Sequence, residues 1–111
     1  MDTLTESRFE MLADETLNRM VDSLDDNEDD AFDASLESGV LTISFADGAK
    51  FVINSHRAAR QIWMAAGTTA WHFDWTGKAW ISTRSQDELW GTLGEKMQTK
   101  LGRPLKVWPQ S

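Results

Sequence analysis

Cysteine is absent from the 111-residue chain, which excludes disulfides, thiol nucleophiles and zinc–thiolate sites. Histidine is nearly absent. His56 and His72 lie far apart and lack the spacing of a metal-binding pair, and His72 reads as a sheet-surface residue. No Ser-His-Asp or Glu-x-x-His arrangement occurs, and no Gly-rich phosphate loop. No stretch approaches the roughly 18 apolar residues of a membrane helix. The first ten residues carry acids and no apolar core, unlike a secretory signal or an Arg-rich transit peptide. The expected location is therefore the cytoplasm, or a matrix-like compartment after processing. Basic residues are also scarce, 11 Lys and Arg against 18 Asp and Glu for a net charge of −7. Nucleic acid, which requires a basic footprint, is an unsuitable partner.

What is present suits one soluble domain spanning residues 1–111. Hydrophobic residues make up 41% of the chain, with six Trp and five Phe, enough for one core. Charge is unevenly placed. Residues 1–37 hold 13 acids and two bases, a net −11, whereas residues 38–111 hold five acids and nine bases, a net +4. Such an asymmetry steers encounters with cationic surfaces.

Phe9, Ala13, Leu17, Met20 and Leu24 recur at helical spacing, and Thr3 with Glu6, or alternatively Thr5, supplies the N-cap. Residues 32–37 alternate apolar and polar, as a half-buried strand does. Val40 to Phe45 is the second strand, and Asp47-Gly48 turns the chain into a third over Lys50 to Asn54. Residues 55–60 read as a polar connection. Further strands are expected over Gln61–Ala65, Ala70–Trp75 and Ala79–Thr83, with antiparallel pairing because the gaps are short. Ser85 with Glu88 forms a capping box for a second helix, whose stripe is Leu89, Leu93, Met97 and Leu101 and whose end is marked by Gly102 and Pro104. The apolar tail Leu105–Trp108 is expected to pack in the groove between the helices. Helices and strands are segregated, which defines an α+β fold. It is a two-layer α/β sandwich with both helices on one face of an antiparallel sheet of five or six strands.

Two features stand out. Asp25-Asp26-Asn27-Glu28-Asp29-Asp30 places five carboxylates around one Asn, with Asp22 before them and Asp33 and Glu37 after. Like charges four apart on a helix repel, and anions near a helix C-terminus oppose its dipole. A divalent cation would relieve both, and carboxylate oxygens suit hard or borderline cations. A charge run is usually a solvated face, and a handle for a basic protein is a further reading open at this point. No Asp-x-Asp-x-Asp-Gly loop with a terminal Glu is present, which disfavours calcium. The second feature is Trp63. If Ile62 and Met64 face the helices, Gln61, Trp63 and Ala65 face the open side, where an indole is a contact anchor by type or is simply half covered by its neighbours. The remaining Trp residues (Trp71, Trp75, Trp80, Trp90, Trp108) read as core or rim.

Four stretches carry a family resemblance: Phe9-x-x-Leu12-Ala13-Asp14 leading to Leu24-Asp25-Asp26; Gly39-Val40-Leu41-Thr42-Ile43-Ser44-Phe45-x-Asp47-Gly48; Ile53-Asn54 followed by Gln61-Ile62-Trp63-Met64-Ala65; and His72-Phe73-Asp74 with Trp80 beyond. In this order and extent the chain resembles the frataxin family in its bacterial, CyaY-type form. It departs from the family pattern at His56, where a Gln is usual, and at Thr69-Ala70, where a Gly pair is usual. The Pro/Gly-containing loop that follows the central Trp in eukaryotic members is missing. The resemblance implies a non-enzymatic protein that binds ferrous iron weakly and exchangeably, with ferric iron as a further state. It implies docking on a cysteine desulfurase and its iron–sulfur scaffold protein, as a monomer able to form iron-dependent oligomers. Asp22, Asp25, Asp26, Glu28, Asp29, Asp30 and Asp33 are then the metal site, and Asn54, Gln61 and Trp63 the partner-binding face. The rivals are an acidic interaction module without a metal role and a weak ferroxidase.

Overall fold

The computed structural model describes residues 4–26 and 31–103. Helix α1 (Glu6–Asp25) is followed by strands β1 (Phe32–Glu37), β2 (Val40–Phe45), β3 (Lys50–His56), β4 (Gln61–Ala66), β5 (Thr69–Trp75) and β6 (Trp80–Ser82), and then by helix α2 (Leu89–Leu101). The strands form one antiparallel meander in chain order, as the short gaps require.

The expected stripe of α1 is the buried one: Phe9, Ala13, Leu17, Met20 and Leu24 all face inward. Thr5 is the cap, accepting a hydrogen bond from the Arg8 N–H at 3.1 Å. The alternative cap, Thr3, lies outside the described residues. Period-two alternation places Leu41, Ile43, Phe45, Phe51, Ile53, Ile62, Met64, Trp71 and Phe73 on the face toward the helices. Each such side chain contributes on the order of 1.5–3 kcal/mol by leaving water. Trp80 ties the layers together. Its ring meets Phe9 edge-on at 5.9 Å, and its indole N–H donates to Thr16 Oγ1 at 3.0 Å, so the buried polar edge of a large side chain is satisfied.

The limits of β4, β5 and β6 fall within one residue of the expected ones, and two boundaries differ by more, each for a local reason. β3 runs to His56 because Ser55 and His56 still pair with Ile62 and Gln61. Only residues 57–60 are left to turn, with the Arg60 N–H donating to the Arg57 carbonyl at 3.1 Å and Arg60 at φ 52°. The second helix is capped by Glu88, not Ser85. The Ser82 N–H donates to the Asp87 carbonyl at 2.8 Å, and Ile81 bridges Glu88, so the chain is held against the sheet until residue 88. The Ser85 N–H itself donates to Ser82 Oγ. Glu88 then accepts from the N–H groups of Trp90 and Gly91, both at 2.9 Å. Gly102 ends α2 at φ 71°, a left-handed conformation that suits glycine. Pro104 and the apolar tail Leu105–Trp108 lie outside the described residues.

Candidate functional site: an acidic helix end and a stacked open face

Asp22, Asp25 and Asp26 occupy the last turn and the cap of α1, and all three are exposed. They sit there because the buried stripe of α1 ends with Met20, Ser23 and Leu24 and leaves the intervening positions to water. No basic residue lies in that last turn. Among the described residues no Lys or Arg pairs with any of the three. By contrast, Glu6 and Glu10 at the other end of the helix meet Arg57, and Glu15 meets Arg19. The helix dipole and the i,i+4 pair Asp22/Asp26 therefore both raise the local energy. Asp33 is exposed on β1, the edge strand against which α1 packs, but on the sheet's open side. Among the described residues no group of three or more His, Asp or Glu side chains converges as a metal site. Glu28, Asp29 and Asp30, the remaining predicted ligands, lie outside the described residues.

The open side of the sheet carries the second cluster. The Asn54↔Trp63 and Trp63↔His72 pairings place these three residues in one row across β3, β4 and β5. His56↔Gln61 and Gln61↔Asp74 form the adjoining row. Trp63 is half-buried, and both of its faces are covered. His56 stacks on one at 3.8 Å between ring centroids and His72 on the other at 4.2 Å, with interplanar angles of 18° and 11°. Its N–H donates to Gln61 Oε1 at 2.8 Å, and Gln61 Nε2 donates to Asp74 Oδ1 at 3.1 Å. The Ala59 N–H donates to His56 Nδ1 at 3.3 Å. Asn54 contacts this cluster as the cross-strand neighbour of Trp63, and its amide reaches only a long 3.5 Å contact to the Ser55 carbonyl.

The sequence reading thus located Asn54, Gln61 and Trp63 together but missed His56, His72 and Asp74 as members of the cluster. The two histidines do not form a chelating pair, because the indole lies between them. His56 was missed because residues 55–60 read as a loop. Carrying the alternation Lys50, Val52, Asn54 two residues further would have put it on this face.

A third region is a cleft of about 280 Å³ between α1, the β5–β6 turn and the start of α2, lined by Leu12, Thr16, Trp75, Trp80 and Trp90 among others. Among the described residues no helix is long and apolar enough to cross a membrane.

Two helices on one face of a six-strand antiparallel meander define an α+β sandwich, with an acidic helix end and an aromatic cluster on the open face. A family model of the frataxin-like domain matches residues 2–103. An iron-sulfur cluster assembly protein CyaY from Variovorax paradoxus is 33% identical over 85 residues, covering 73% of this chain and 77% of its own. Among solved structures, frataxin from Psychromonas ingrahamii superposes with a TM-score of 0.85 at 24% identity, covering 92% of this chain and 96% of that one. Trimeric frataxin from Saccharomyces cerevisiae, complexed with ferrous iron, superposes at 0.72 with 26% identity, covering 93% and 91%. The chain belongs to the frataxin family.

Proposed function

We propose that this protein serves iron–sulfur cluster assembly by carrying ferrous iron as an exchangeable cargo on the acidic edge and by docking on a cysteine desulfurase with its scaffold protein. The observation that carries the reading is the absence, among the described residues, of a counter-ion for Asp22, Asp25 and Asp26, at a helix end where the dipole already disfavours anions. A cation or a basic protein surface supplies the missing charge. Carboxylate oxygens without Cys or His hold ferrous iron loosely, which suits delivery rather than storage. Glu28, Asp29, Asp30 and Asp33 complete the ligand set in this reading, and Asn54, Gln61 and Trp63 extend the protein contact across the sheet. Family membership, the CyaY name of the Variovorax relative and the ferrous complex of the yeast relative support it.

A ferrous titration followed by NMR tests the cargo site. Shifts and broadening should cluster over residues 22–33, and a response elsewhere counts against it. A second reading, an acidic docking module in which iron is incidental, draws on the lack of three converging ligands among the described residues. Iron affinity no better than that of a scrambled acidic peptide would favour that reading.

A further inference from the structure

An indole can offer a partner two π faces and one N–H. In Trp63 all three are already engaged within the chain, by His56, His72 and Gln61. A partner gains a face of this ring only by displacing one of them. The three are not held equally. Gln61 is fixed by hydrogen bonds to both Trp63 and Asp74. His56 is half-buried and accepts the Ala59 N–H. His72 is exposed, and among the described residues its imidazole makes no hydrogen bond and no ion pair.

We propose that His72 is a removable cover on the docking face of Trp63, and that the group which replaces it is an arginine guanidinium of the partner. The proposal rests on the docking reading above. Three observations favour this occupant. The indole face is electron-rich and attracts a planar cation that also stacks flat on it. Asp74 lies on the same side of β5 two residues from His72, roughly 7 Å along the strand, and among the described residues it has no cationic partner. Its carboxylate would meet the guanidinium at the edge of the ring. Asp33 and Glu37 stand exposed on the same open face, on edge strand β1, and favour a cationic group approaching it. His72 thereby sets specificity, because it keeps the ring closed to groups that stack less well than an imidazole.

The test measures affinity of the full chain for a cysteine desulfurase–scaffold complex by calorimetry, with His72→Thr, which keeps strand propensity and lacks a ring, and with His72→Phe, an apolar cover. The cover predicts that His72→Thr binds roughly threefold tighter and His72→Phe weaker than the parent chain. Unchanged or weaker binding by His72→Thr overturns it, since His72 is then a spectator or a contact in its own right. A second arm uses no partner. N-acetyl-arginine amide is titrated while the Trp63 Nε1–H resonance is followed, and half-saturation should fall about threefold in His72→Thr. If the chain and its Asp25→Lys/Asp26→Lys variant both fail to bind the complex, the docking reading fails. The arginine-amide arm still decides the cover, and equal half-saturation in parent and variant overturns it.

Discussion

The end of α1 and the open face of β3–β5 are both polar surfaces, yet they are built by opposite rules. At the helix end Asp22, Asp25 and Asp26 stand next to one another with no matching base among the described residues, in the place where the dipole disfavours them. On the sheet, Trp63, Gln61, Asp74 and His56 satisfy one another in a connected set. The first surface holds charge that no described base compensates, and under the proposed function a cation or a basic protein neutralises it. The second is stabilised from inside, and under the proposed function it meets a partner already ordered, which lowers the entropic cost of association. Two kinds of response to mutation and salt follow, and each can be measured.

The largest separation is expected at the helix end. Asp25→Lys with Asp26→Lys should weaken docking on a basic partner at least tenfold at low salt. The same change should raise folding stability by about 0.5–2 kcal/mol through relief of the dipole and like-charge terms. Opposite signs in calorimetric affinity and in urea denaturation would confirm that this surface trades stability for contact. Equal signs would break the comparison. Trp63→Ala should behave differently. It should weaken docking by about 2 kcal/mol, an effect that persists at high salt, and it should lower stability by about 1–2 kcal/mol because a half-buried ring and two stacking contacts are lost. A pronounced salt dependence of the Trp63→Ala effect would show that the aromatic face acts through charge after all.

A smaller effect isolates the hydrogen-bonded chain. Gln61→Leu leaves the indole N–H and Asp74 Oδ1 without their shared partner. The expected cost is about 0.5–1.5 kcal/mol. Faster solvent exchange of the Trp63 Nε1–H in NMR is the specific readout, and an unchanged exchange rate would mean that Gln61 does not hold the ring.

Which parts of this were legible in the sequence follows from the range of the interactions involved. The α1 stripe from Phe9 to Leu24 and the strands 32–37 and 40–45 depend on local periodicity, and the structure reproduces their limits. The family resemblance supplied the pairing of acidic helix and Trp-bearing strand. The cap of α2 was misplaced because Ser85 and Glu88 satisfy the capping pattern in sequence. The Ile81–Glu88 bridge, a tertiary contact, holds the backbone out of the helix at residue 85. The covered state of Trp63 was equally hidden. It depends on register across three strands, and register brings His56 and His72, which lie 16 positions apart, to the two faces of one ring. The acidic edge was legible as composition, but its ligand geometry was not, since Glu28, Asp29 and Asp30 lie outside the described residues.

Asp47 provides an internal standard for the unpaired acids, and the smallest of the expected effects. It sits in the turn between β2 and β3, where its carboxylate meets Lys100 of α2 and accepts the Ala49 N–H at 3.0 Å. The hydrogen bond from Lys100, followed by that from Ala49, holds its pKa below the ordinary carboxylate value of 3.8. A carboxyl whose pKa is lower in the folded chain binds protons less readily there than in the unfolded chain, so it stabilises the fold above the unfolded value. That contribution is lost as the pH falls through the lowered one. The parent chain should therefore melt slightly above Asp47→Asn near neutral pH, and the two curves should merge as the medium is acidified below the carboxylate range. Because Asp47 is exposed, salt should shrink the difference as well. Should Asp47→Asn instead match the parent at neutral pH and low salt, a neighbouring cation does little for an exposed aspartate on this protein. The cost assigned to leaving Asp22, Asp25 and Asp26 unpaired would then have to be carried by the helix dipole and their mutual repulsion alone.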